Sequence, residues 1–89
     1  MQTVYNRNNI NLNYLNNYVN FFLNDNHLYL HNTIYDKKVT IISANKNLKE
    51  LIIALHKGIN NSDLIKILKK ITNSPKTLYE YLLQNFIIE

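Results

Sequence analysis

The chain contains no cysteine, no tryptophan, one glycine and one proline among 89 residues. Without cysteine there is no disulfide, no thiolate metal site and no thiol nucleophile, and a reducing compartment suits the chain. A single glycine cannot build a glycine-rich phosphate loop. No uninterrupted apolar run approaches the roughly 18 residues that cross a bilayer. The start, MQTVYNRNNINLN, lacks the basic-then-apolar layout of a signal peptide. A soluble, cytoplasmic protein without a membrane partner is therefore expected. Arginine is scarce as well, with Arg7 alone beside nine lysines.

Asparagine is abundant instead, at seventeen residues, together with many isoleucines, lysines and tyrosines. That bias looks like the product of an AT-rich genome, so no single Asn carries functional weight on its own. The formal charge of +4 favours acidic partners through long-range attraction but does not choose among them. At this length the chain is one small domain, near the size at which a single core stabilises a fold.

Residues 1–16 are polar and Asn-rich, with scattered Ile10, Leu12 and Leu15, and read as an N-terminal arm preceding a domain over 17–89. Next, YVNFFL (Tyr18 to Leu23) is aromatic and β-branched, and NDN (Asn24 to Asn26) offers a hairpin turn. HLYLHN (His27 to Asn32) alternates, with Leu28 and Leu30 on one face and His27, Tyr29 and His31 on the other, as a half-buried strand does. A second turn at Tyr35-Asp36-Lys37 leads into KVTIIS (Lys38 to Ser43). Leu12, Leu15, Val19, Phe22 and Leu23 also fit a helical stripe, which competes with the first strand.

From Asn45 the period changes to about 3.6. In NLKELIIALHKG, Asn47 and Glu50 have the spacing of a capping box, and Leu48, Leu51, Ile52 and Leu55 form an apolar stripe before Gly58 ends the helix. In NNSDLIKILKKI, Ser62 is the expected cap, Asp63 suits the positive helix start, and Leu64, Ile67, Leu68 and Ile71 form the stripe. In SPKTLYEYLLQNFIIE, Ser74 and Pro75 mark a helix start, and Asn85 is the expected left-handed stop. The expected fold is α+β and winged-helix-like: a three-stranded antiparallel meander followed by three helices, β-β-β-α-α-α.

The run from Leu12 to Glu89 resembles the RiPP recognition element, a small winged-helix domain related to the peptide chaperone of pyrroloquinoline quinone biosynthesis. The likeness lies in NYLNNYVNFFLNDNHLYLHN, in KKVTIIS, in an apolar helix ending HKG, in a helix beginning INNSD, and in a terminal helix ending LLQNFIIE. Lys57 stands where the family favours an acidic residue, and Asn85 where it favours glycine. The pattern around NYLNNYVNFFLND looks most like docking domains of azoline and thiopeptide pathways.

The resemblance implies a non-catalytic module of modified-peptide (RiPP, bacteriocin) biosynthesis. Its partners would be the leader segment of a ribosomally made precursor peptide and a tailoring enzyme such as a YcaO-type cyclodehydratase, a radical enzyme or a dehydratase. The leader would add as a fourth strand on the edge of the third strand, beside the third helix. An exposed edge pairs with extended peptides of many sequences. The residues implied are Lys38, Val39, Thr40, Ile41 and Ile42 on the strand, and Lys76, Tyr79, Leu82 and Leu83 on the helix. Lys38 and Lys76 would attract acidic leader residues. Val39, Ile41, Leu78, Leu82 and Phe86 also read as core; Thr40, Ile42, Tyr79 and Leu83 fall outside the main stripe.

The rival is a winged-helix DNA-binding regulator. KTLYEYLLQNF offers few donors for base edges, and no helix carries arginine, so nucleic acid is the weaker partner; Lys66, Lys69 and Lys70 would touch phosphates. No enzyme, cofactor or metal reading emerges. His27 and His31 stand about 13 Å apart along an extended strand, too far to share a metal. His56 suits a helix end, where a cation is favoured. Free sheet edges leave room for a homodimer.

Overall fold

The computed structural model describes residues 12–89. A three-stranded antiparallel sheet, β2 (Val19–Asn24), β3 (His27–Asn32) and β4 (Lys37–Ile42), has the order β2-β3-β4. Three helices follow, α1 (Asn45–Lys57), α2 (Asn61–Lys69) and α3 (Pro75–Gln84). The architecture is thus the expected α+β, β-β-β-α-α-α arrangement. Two strands of two residues each, β1 (Leu12–Asn13) and β5 (Ile59–Asn60), pair antiparallel as a separate ribbon.

Register explains which side chains enter the core. Leu28 lies opposite Leu23 and Ile41, and Leu30 opposite Phe21 and Val39. These residues share the inner face, where Leu28, Leu30, Val39 and Ile41 are buried. The helical reading of Leu12 to Leu23 gives way to a strand from Val19. Its phase of two puts Val19 inside and leaves Phe22 exposed.

α1 packs against β2 and β3, and α2 packs against α1, α3 and the β1–β5 ribbon. Leu48, Leu51, Ile52 and Leu55 of α1 are buried, as are Leu64, Ile67 and Leu68 of α2. Burying one such side chain stabilises the fold by about 1.5–3 kcal/mol relative to leaving it in water. In α3 only Leu82 is buried, and Ile87 and Ile88 just beyond the helix complete the core.

Helix ends depart from several expectations. The Asn47–Glu50 capping box is absent: α1 starts at Asn45 after Ala44, and Asn47 donates instead to the Lys70 carbonyl. Asn60, not Ser62, caps α2, its Oδ1 accepting from Asp63 N at 2.9 Å and Ser62 Oγ at 3.2 Å. Pro75 does occupy the first turn of α3, but Ser74 makes no side-chain cap bond. The left-handed residue at the end of α3 is Phe86, with φ 57°, rather than Asn85. Phe86 N bonds to Leu83 O and Ile87 N to Leu82 O, the paired bonds of a Schellman stop. Contact between buried Ile87 and Leu82 accompanies that motif, so packing selects which residue takes the left-handed site.

Gly58 ends α1 with φ 91° and a bond from its N to Ala54 O. A Cβ there would stand 2.6 Å from Tyr14 Cε1, the outer end of an exposed ring that can swing aside, so it is the backbone conformation that requires glycine. Of the arm expected over 1–16, the portion from Leu12 is built into the fold. Asn13 pairs with Ile59, Tyr14 and Glu89 exchange two backbone bonds, and Asn16 N donates to Ile87 O. The rest of that arm lies outside the described residues.

Candidate peptide-binding edge

Antiparallel strands alternate residues whose backbone groups face the partner strand with residues whose groups face away. Ser43 N bonds to Asn26 O, which fixes the phase. Given the register Leu28↔Ile41 and Leu30↔Val39, the backbones of Lys37, Val39 and Ile41 bond to β3. The N–H and C=O groups of Lys38, Thr40 and Ile42 therefore point away from it. Among the described residues no strand pairs with that side of β4. The same phase on β2, set by the Thr33 N to Tyr18 O bond, turns the backbones of Phe21 and Leu23 outward on the opposite edge.

Beside β4 runs a groove of about 460 Å³. Thr40, Ile41 and Ile42 form one wall, Thr77, Leu78 and Tyr81 of α3 the other, and Ile71, Thr72 and Ser74 close one end. The strand supplies backbone groups that pair with no other strand among the described residues, and the helix supplies apolar contacts for alternate side chains of an extended segment. That combination is what strand addition requires.

The structure gathers some of the expected residues and separates others. Thr40, Ile41 and Ile42 line the groove, with Ile42 64% exposed. Lys38 and Val39 precede them on the same strand, Val39 with its side chain buried and Lys38 exposed. Lys76 is exposed in the first turn of α3, outside the groove lining. Leu82 is 0% exposed and belongs wholly to the core. Tyr79 faces another way: its hydroxyl donates to Asn13 Oδ1 at 3.2 Å and lies 3.4 Å from Asn61 Oδ1, beside the β1–β5 ribbon. Leu83 is exposed but outside the lining. Phe86 is no core residue; it is 41% exposed and stacks on Tyr35 with ring centroids 4.3 Å apart.

Sequence reasoning missed Thr77 and Tyr81; Leu78, read as core, is half-buried against the core and also lines the groove. Leu78 and Tyr81 stand three residues apart, and that helical spacing was the available signal.

Electrostatics around the edge are simple. The turn before β4 is tied by His31 Nε2 and Asp36 Oδ1 at 2.8 Å. The His31 hydrogen bond, with Lys38 nearby, holds the Asp36 carboxyl below its usual range. The lysines in and just after α2 are partly committed: Lys70 Nζ bonds to both oxygens of Glu50 at 3.0 and 3.3 Å, and Lys66 lies 3.8 Å from Asp63. His56 Nδ1 lies 3.1 Å from the Ile52 carbonyl, and its ring meets Phe21 edge-on. Among the described residues no group of three His, Cys, Asp or Glu side chains is placed to hold a metal, and no helix is long and apolar enough to cross a membrane.

No protein-family model matches the chain, and neither does any curated protein or solved structure.

Proposed function

We propose that this domain binds the leader segment of a precursor peptide as an added strand on β4, beside α3, and delivers it to a tailoring enzyme. The observation that carries this reading is the pairing of an open backbone edge at Lys38, Thr40 and Ile42 with an apolar groove along Leu78 and Tyr81. Main-chain hydrogen bonds supply affinity that tolerates many sequences, and the groove selects apolar side chains at alternate positions. Lys38 and Lys76, both exposed, favour acidic residues at the margins of the site. The domain has no chemistry of its own to contribute; holding the leader raises the effective concentration of the attached core peptide at the partner's active site.

The DNA-binding reading is weaker, because Lys70 is engaged by Glu50 and Lys66 sits near Asp63, so that of these three lysines only Lys69 has no acidic neighbour among the described residues. Titration with candidate leader peptides tests the proposal. Amide shifts over Lys38 to Ser43 and Thr77 to Leu83 support it; shifts confined to Lys66, Lys69 and Lys70 on adding duplex DNA support the rival.

A further inference from the structure

β2 forms the edge of the sheet opposite the proposed leader site, and among the described residues no strand pairs with its outer side. Its register turns the N–H and C=O groups of Phe21 and Leu23 away from β3. Proteins blunt such edges with charged side chains, proline or bulges. β4 begins with Lys37 and Lys38, whereas β2 is six residues paired one to one with β3, without proline, glycine or charge. No charged residue occurs anywhere from Leu12 to Asn24.

The order of side chains in NFFLN (Asn20 to Asn24) indicates what pairs with this edge. Strand alternation puts Asn20, Phe22 and Asn24 on the outer face, and Phe21 and Leu23 on the inner face with Leu28 and Leu30. Read in either direction, the outer row is amide, phenyl, amide, and the inner row is apolar throughout. Such a palindrome complements a second copy of itself running antiparallel. With a two-fold axis at Phe22, Asn20 lies opposite Asn24 of the second copy, Phe21 opposite Leu23, and Phe22 opposite Phe22. Phe21 and Leu23 are the residues whose backbones face outward, so each such pair exchanges both main-chain bonds. The phenyl pair falls between them at the closer, non-bonded spacing, where cross-strand aromatic contact is strongest. Phe22 is 62% exposed even though its ring stacks on Tyr29, and Phe21 is 43% exposed on the other face. Core formation within one copy accounts for neither.

We propose that two copies of this chain associate through β2, antiparallel about a two-fold axis at Phe22, to form one continuous sheet of order β4-β3-β2-β2-β3-β4. The interface is isologous and consumes both β2 edges, so growth stops at the dimer. Like charges do not meet across it. The nearest acid, Asp25, sits in the turn just past β2, and the axis sends the two Asp25 residues to opposite ends of the strand pair. Both β4 edges stay open, so the leader site is neither used nor blocked.

The test is sedimentation velocity of the full chain from micromolar to millimolar concentration. A reversible monomer–dimer equilibrium is expected. Phe22→Lys places two cations on the axis from an exposed position and should abolish the dimer while circular dichroism stays unchanged. Ile53→Lys, which removes an equally exposed apolar residue from α1, should leave it. Because the chain has no cysteine, oxidation of Phe22→Cys should join two copies through residue 22 alone. In hydrogen exchange the amides of Phe21 and Leu23 should be fast in dilute samples and slow in concentrated ones. A monomer at millimolar concentration overturns the proposal. So does a dimer that Phe22→Lys leaves intact, a series of oligomers beyond the dimer, or slow exchange at Phe21 and Leu23 in a dilute monomer, which would mean that another segment of the same chain covers the edge.

Discussion

The ring of Tyr14 lies where a side chain on Gly58 would have to go, its Cε1 standing 2.6 Å from the position of that missing Cβ. Residue 58 is thus fixed by φ 91°, and a side chain there would also have to push the exposed Tyr14 ring aside. Gly58→Ala should destabilise the fold by about 2–4 kcal/mol, of which about 1–3 is backbone strain. In a Tyr14→Ala background the same substitution should cost less, since the clash is gone and only the strain remains. Chemical denaturation of the four proteins in this cycle measures the difference.

Asn32 is a buried polar residue that fills three of its four side-chain hydrogen-bonding sites. Its Nδ2 donates to Phe86 O at 2.8 Å, and its Oδ1 accepts from Ile34 N at 2.9 Å and Tyr35 N at 3.0 Å. Replacing it by alanine strands these groups and should cost about 2–4 kcal/mol in a denaturant titration. Phe86, by contrast, should tolerate glycine. Relief of its left-handed backbone, about 1 kcal/mol, roughly offsets loss of the Tyr35 stack, about 0.5–1.5 kcal/mol. Phe86→Gly is therefore expected within about 1 kcal/mol of the parent.

Asp36 gives a pH signature to the turn that introduces β4. Its folded pKa lies below the unfolded value, mainly through the His31 hydrogen bond and then Lys38. Its stabilising contribution is therefore complete above the usual carboxylate range and disappears as pH falls through the lowered folded value. Carbon NMR of the Asp36 carboxyl should show a depressed midpoint, and His31→Gln should move that midpoint back up.

The alternation of backbone groups on β4 yields a sharp contrast between neighbouring residues. Thr40→Pro removes an N–H that points away from β3, so the sheet should survive while leader binding falls at least about tenfold. Ile41→Pro removes a ladder bond and should destabilise the domain by about 3 kcal/mol or more. Circular dichroism together with peptide titration separates the two.

Much of the fold was readable because its periods are long enough to see. HLYLHN alternates over a whole strand, the stripe from Leu48 to Leu55 spans two turns, and Leu64, Ile67 and Leu68 repeat the i, i+3, i+4 spacing. The two-residue strands β1 and β5 have no period and left no trace. Caps failed where several competent residues adjoin. In Asn60-Asn61-Ser62 each can cap, and backbone phase chose Asn60. The stop of α3 falls on Phe86 because burial of Ile87 against Leu82 fixes the phase, outweighing the better left-handed propensity of Asn85. β4 and α3 line one groove, yet a stripe on a helix does not say what each flank meets. Tyr79 meets Asn13 of the strap, and Tyr81 takes the place expected for it at the groove.

Hydrogen exchange on β4, with and without a candidate leader peptide, tests the central claim most directly. In the free domain the amides of Val39 and Ile41 should exchange slowly and those of Thr40 and Ile42 fast, and the peptide should slow Thr40 and Ile42 selectively. Slow exchange at Thr40 and Ile42 before any peptide is added, or tight peptide binding that leaves them fast, would contradict the account.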